Sequence, residues 1–274
     1  MEKETHRNGG GPRIHPSLLI TTIAFALISC SVKEMRESCP CRVGLDYSEL
    51  LPKASPGEVI RTTISDAGGK TRWQGEFLAD TCPVLYGILL AKGQYTASSL
   101  LFGGEENWSI DEEGIKLREG AEADSLFGEA APLDARGEEA ESVPAALKQF
   151  ATLFIRFGTP VSGLEVEVGL NSSSITSRDL SAAPGPMAIR RTVSGEMASF
   201  RLPRQCDTDI SVAFNDKADG RLLAALDLSP LLQKRGYDFK APELSDIFLD
   251  VDFEARKATI EVEGWKESFI IVTF

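Results

Sequence analysis

The stretch Ile247–Glu263, "IFLDVDFEARKATIEVE", alternates apolar and polar side chains on either side of a short charged break. Successive side chains of a strand point to opposite faces, so a period of two predicts two half-buried strands, Ile247–Phe253 and Ala258–Glu263. Ile247, Leu249, Val251 and Phe253 share one face, while Asp246, Asp250 and Asp252 share the other with Phe248. Three carboxylates on one face suit a cation site or acid–base chemistry, but a half-wet antiparallel strand gives the same pattern. Glu261 and Glu263 extend the acidic face. Many facing carboxylates without a basic partner mark the solvent side of a sheet, so no metal site is assigned.

Outward from this pair the same signature recurs. Strands are predicted at Cys41–Tyr47, Val59–Ile64, Thr71–Leu78, Val84–Leu90 and Gln94–Phe102, with a tight turn at Lys92-Gly93. A second series covers Phe150–Phe157, Leu164–Leu170, Ala188–Val193, Ala198–Leu202, Asp209–Phe214 and Leu222–Leu228. One short helix follows, capped by Asp227 or Ser229, with Pro230 in its first turn and Gly236 as its stop. Between the two series, Gly103 to Glu141 is acidic and rich in Gly and Ala. Two short strands are expected there, near Trp108–Ile110 and Ile115–Leu117, and a partly mobile loop or linker for the rest. Its carboxylates lack the spacing of an EF-hand loop. Strands at this spacing with Gly/Pro turns predict an all-β chain of antiparallel β-sandwiches, with domains at residues 39–141 and 142–274.

The amino-terminal end reads differently. Within "SLLITTIAFALISCSVKE" (Ser17–Glu34) the apolar run Leu18–Ile28 stops at a cysteine. At about 1.5 Å per helical residue it falls well short of a hydrocarbon core about 30 Å thick. Behind the basic residues Lys3, Arg7 and Arg13 it has the form of a secretory signal. Leu27-Ile28-Ser29-Cys30 resembles a bacterial lipobox, in which a small residue precedes the cut and the thiol is acylated. Residues 1–29 are therefore expected to be a lipoprotein signal peptide, cleaved between Ser29 and Cys30, and residues 30–38 a lipidated tether.

Charge and histidine content exclude several functions. A net charge of −12 repels nucleic acid phosphates and anionic headgroups, so no nucleic acid partner is expected. Both histidines, His6 and His15, precede Cys30, which removes Ser-His-Asp, Cys-His and His-ligated zinc chemistry from the mature chain. No enzyme activity, cofactor or metal is expected. Cys39, Cys41, Cys82 and Cys206 remain beyond the lipobox, either as disulfides in an oxidising compartment or as free thiols.

Together, Cys30, "ESCPCRVGLDYS", "KGQYTASSLLFGG", "LDLSPLLQKRGYDF", "LSDIFLDVDF" and "IEVEGWKESFIIV" resemble the FimB-like fimbrial anchor subunits of type V pili from the Bacteroidota. The likeness runs from Cys30 to Phe274. It implies two transthyretin-like β-sandwich domains, a lipid anchor in the outer membrane, exposure at the cell surface and a shaft subunit as partner. In this pilus class, shaft subunits lose a first strand to proteolysis and accept a neighbour's strand in the groove that opens. An anchor is expected to keep its own first strand. The closing "SFIIVTF" is apolar on both faces, so Phe269, Ile270, Ile271, Val272 and Phe274 either complete their own sheet or contact a subunit. The alternative function is a glycan-binding surface lipoprotein, with Trp73, Trp108 and Trp265 as sugar platforms.

Overall fold

The computed structural model describes residues 39–262 and the backbone of Trp265–Ile270. The signal, Ser29, Cys30 and the tether lie outside the described residues, as do Ile271, Val272 and Phe274. Every element below belongs to one compact unit, Pro40–Phe274.

The first series of strands is β1 (Cys41–Asp46), β2 (Val59–Asp66), β3 (Thr71–Leu78), β4 (Leu85–Leu90) and β5 (Gln94–Phe102). It continues through β6 (Trp108–Ile110), β7 (Gly114–Leu117), β8 (Phe127–Asp134) and β9 (Glu139–Ser142). Two sheets, ordered β4-β1-β9 and β3-β2-β5-β8, face each other. Val43, Leu45, Ile88 and Leu90 of the one pack with Ile60, Ile64, Leu101 and Leu133 of the other. The turn at Lys92-Gly93 joins strands of different sheets, so it is an arch across the sandwich.

The second series is β10 (Phe150–Thr176), β11 (Ala182–Pro203), β12 (Ser211–Asp216) and β13 (Leu222–Asp227). Helix α1 (Ser229–Arg235), β14 (Ile247–Asp252), β15 (Lys257–Val262) and β16 (Trp265–Ile270) complete it. The helix ends at Gly236 with φ 76°, a left-handed conformation that suits glycine. Its cap position is Leu228, without a side-chain cap bond, while the Asp227 carboxylate accepts from the Ser229 N–H at 2.9 Å.

β10 and β11 are each one strand where the sequence suggested two. Gly158, Pro160 and Gly163 interrupt the apolar alternation, but register shifts between Arg156 and Leu164 absorb them as bulges in a continuous ribbon. The early half of β10 pairs in parallel with β14, and the later half antiparallel with β12. These two wings close on one core: Leu249 and Ile260 from one side, Val212 and Leu226 from the other.

The acidic segment also differs from its sequence reading. Beside the expected β6 and β7 it carries β8 and β9, so it is not a loop or linker. β8 lies at a sheet edge, where Pro132 costs no ladder hydrogen bond, and β9 ("EAES") has no apolar face to betray it. At Gly128 a Cβ would stand 2.1 Å from the Ser99 carbonyl oxygen, so only glycine lets β8 reach β5. β7 pairs with β10, and the residues around this junction form a third core of Leu100, Phe102, Trp108, Ile115, Phe150 and Ile175.

Candidate functional site

The surface of interest is the β4-β1-β9 sheet. β1 is its middle strand, antiparallel to β4 and parallel to β9. Cys41, Val43, Leu45 and Tyr47 are all buried, so one full face of the strand serves the core. Backbone bonds reach both neighbours: the Tyr47 N–H donates to Val84 O at 2.7 Å, and the Arg42 N–H to Glu138 O at 2.8 Å. Removal of β1 would leave β4 and β9 with facing rows of unpaired amides and an apolar slot between them. The chain's own strand fills that slot.

Tyr47, just past β1, ties the strand to the opposite sheet. Its hydroxyl and Thr62 Oγ1 share a hydrogen bond of 3.0 Å, and Thr62 Oγ1 and Ser99 Oγ share one of 2.8 Å, all buried. Burial pushes the Tyr47 phenol up to about 12, and the hydrogen bond with Thr62 acts in the opposite direction. On the outer face Arg42 and Glu139 pair at 3.0 Å, beside a shallow groove of about 580 Å³ floored by Gly44 and Gly87.

In the second series β16 pairs antiparallel with β15, Trp265 against Val262 and Ile270 against Lys257. Phe269 and Ile270 therefore lie in the chain's own sheet through their backbones. This strand ends the path β13-β12-β10-β14-β15-β16.

Three carboxylates on or beside β14 and β15, Asp246, Asp250 and Glu261, are tied to basic side chains from β10 and the residues before it. Asp250 accepts from Arg156 at 2.5 Å and 3.1 Å, Glu261 lies 3.6 Å from the same guanidinium, and Asp246 pairs with Lys148. The basic partner missing from the local sequence comes from the parallel neighbour strand, nearly a hundred residues earlier. Among the described residues no group of three His, Cys, Asp or Glu side chains could hold a metal ion.

All four cysteines within the described residues are free thiols: Cys41 buried, Cys82 and Cys206 partly so, Cys39 exposed. Burial pushes the Cys41, Cys82 and Cys206 thiols up. Of the tryptophans, Trp108 is wholly buried and donates its indole N–H to Asp124 at 3.1 Å, so it is core and no sugar platform. Trp73 is half-buried, 6.2 Å from the Tyr86 ring. The Trp265 side chain lies outside the described residues.

A cleft missed by sequence reasoning, about 550 Å³ in volume, runs past Gln149, Asp179, Arg204, Gln205, Cys206 and Lys240. Its residues come from distant segments, so no local motif marks it. Arg204 is buried and held by Gln149 Oε1 and by the carbonyls of Phe239, Ala241 and Pro242. Burial lowers the affinity of this guanidinium for its proton.

No protein-family model and no curated sequence matches the chain. Solved structures do. The fimbrial anchor protein Mfa2 from Porphyromonas gingivalis superposes with a TM-score of 0.57 at 14% identity, over 83% of this chain and 99% of that one. A proposed polysaccharide binding protein from Bacteroides thetaiotaomicron gives 0.57 at 13% identity, over 85% and 98% of the two chains. A proposed adhesin from Bacteroides ovatus gives 0.55 at 11%, over 87% and 97%. The chain is thus an all-β sandwich protein with the fold of the fimbrial anchor protein Mfa2, the fold that its motifs led one to expect.

Proposed function

We propose that this chain is a lipid-anchored, non-enzymatic subunit that holds a pilus shaft at the outer membrane surface. One observation carries the reading: β1 occupies the slot between β4 and β9. A sheet completed by its own strand has no vacancy there for a neighbour's strand, so a polymer that grows by strand addition stops at this subunit. The fold likeness to an anchor protein and the lipobox at Cys30 support the reading. The acidic surface offers nothing to nucleic acid.

The test is Cys30→Ala. The variant should lose acyl label, leave the membrane fraction and release shaft material into the medium. Stable anchoring takes more than one acyl chain, so the loss should be near complete. Retention in the membrane at the level of the unaltered protein would overturn the assignment. A second reading, capture of a surface glycan, rests on the cleft beside Gln149, Gln205 and Lys240 and on the fold shared with a proposed polysaccharide binding protein. Lys240→Glu should then weaken retention on immobilised polysaccharide, and unchanged retention would remove this reading.

A further inference from the structure

Among the described residues strand β4 lies at the edge of its sheet, and no charged side chain guards it. From Cys82 to Ala91, "CPVLYGILLA", no side chain is charged. Leu85 and Leu89 are 61% and 66% exposed, and Val84 and Tyr86 add further apolar surface. These four make up half of the eight exposed large apolar side chains among the described residues.

Backbone direction follows from one hydrogen bond. Val84 O accepts from Tyr47 of the inner neighbour, so Val84, Tyr86 and Ile88 turn their polar groups toward β1. Leu85, Gly87 and Leu89 turn theirs to the open edge. A Cβ built at Gly87 would meet nothing within 4 Å, so the outer sheet face at the middle of this strand is uncovered.

We infer that β4 pairs antiparallel with β4 of a second copy of this chain, about a two-fold axis at Gly87. In that register the outward-turned residues of each copy meet outward-turned residues of the other: Gly87 faces Gly87, and Leu85 faces Leu89. Charge selects both the place and the direction. Copies at a net charge of −12 repel one another, and this edge carries no acidic side chain. Asp80 precedes the uncharged run and Lys92 follows it, so antiparallel pairing sets unlike ends side by side and parallel pairing sets like ends together. One edge strand and its leucines form an interface at the small end of the specific range, so the dimer is weak and concentration-dependent. The pairing is independent of what the molecule anchors.

Sedimentation velocity of the chain from Ser31 onward, without signal and acylated cysteine, under reducing conditions should show a dimer that grows with protein concentration and with added salt, which screens the repulsion. Leu85→Lys and Leu89→Lys alter side chains that already face solvent. Each should leave the circular dichroism spectrum and Tm unchanged and abolish the dimer. Hydrogen exchange at Leu85, Gly87 and Leu89 should slow as the dimer forms. A monomer at every concentration would overturn the inference, as would a dimer that survives both lysine variants. A monomer that binds a synthetic apolar strand peptide would assign the edge to another partner and equally defeat self-pairing.

Discussion

Tyr47 shows how one buried phenol can couple a strand to the pH of its surroundings. Desolvation is the largest influence on it, raising its pKa from 10.0 to about 12. The sign of the effect on stability follows directly. Above pH 10.0 the unfolded chain ionises this phenol while the folded chain keeps it protonated until about 12, so folding loses stability across that window as pH rises. Below it the contribution is fully present. Denaturant unfolding at a series of alkaline pH values should show a fall of about 1–3 kcal/mol attributable to this residue. Tyr47→Phe should flatten that part of the profile, at a cost of about 1 kcal/mol at neutral pH for the lost hydrogen bond. Equal slopes in the two proteins would refute the coupling. The acidic face of β14 teaches a different lesson at the same scale. Asp246 and Asp250 read as solvent-facing carboxylates in the sequence, and that placement is what the strand period dictates. Their partners Lys148 and Arg156 were not legible, because parallel pairing of β10 with β14 joins segments that no local pattern connects.

For whole elements, legibility tracked side-chain periodicity. β3 and β5 match their predicted limits, and α1 stands where Pro230 and Gly236 place it. Each of these announces itself through alternation, or through residues with a conformational preference. β8 and β9 do not: one carries Gly, Ala and Pro in place of an apolar face, and the other is a four-residue polar strand paired in parallel with β1. A strand defined by its neighbours leaves little trace in its own composition. The correction changes an expectation about proteolysis. As a linker, Gly103 to Glu141 would be the first place that trypsin cuts, at Arg118 and Arg136. Four strands protect most of it through their ladders; Arg118 follows β7, with its N–H donating to Asn107 O at 2.8 Å and its guanidinium to the Glu105 carbonyl at 3.1 Å. Brief trypsin digestion followed by mass spectrometry should therefore leave the segment largely intact. Arg136, in the short β8–β9 turn, should be its more accessible site. Rapid release of fragments ending at Arg118 would contradict the fold of this region.

In the molecule as a whole, the two halves share more than a connecting segment. Ser98 of β5 donates to Ser177 O at 2.6 Å, and β7 lies against the end of β10. The slot between β4 and β9, filled by β1, belongs to the first half. The closing strand β16 belongs to the second. If the slot is closed, attachment to a shaft needs another surface; β16 ends its sheet, and the sequence Ile271–Phe274 that follows is mostly apolar. Deletion of Ile270–Phe274 distinguishes donation from self-completion. It removes one described ladder position, Ile270 against Lys257, and leaves the pairs from Trp265 to Phe269 in place. If the deleted side chains serve no core of this chain, the truncated chain should stay folded, with a Tm close to that of the full chain. If these residues enter a neighbour's groove, it should also stay acylated and membrane-bound while shafts detach into the medium. Unfolding of the variant would mean that the deleted side chains fill this chain's own core, where each contributes about 1.5–3 kcal/mol against a total stability of about 5–15 kcal/mol. A folded variant with shafts still attached would move the contact away from the carboxyl end.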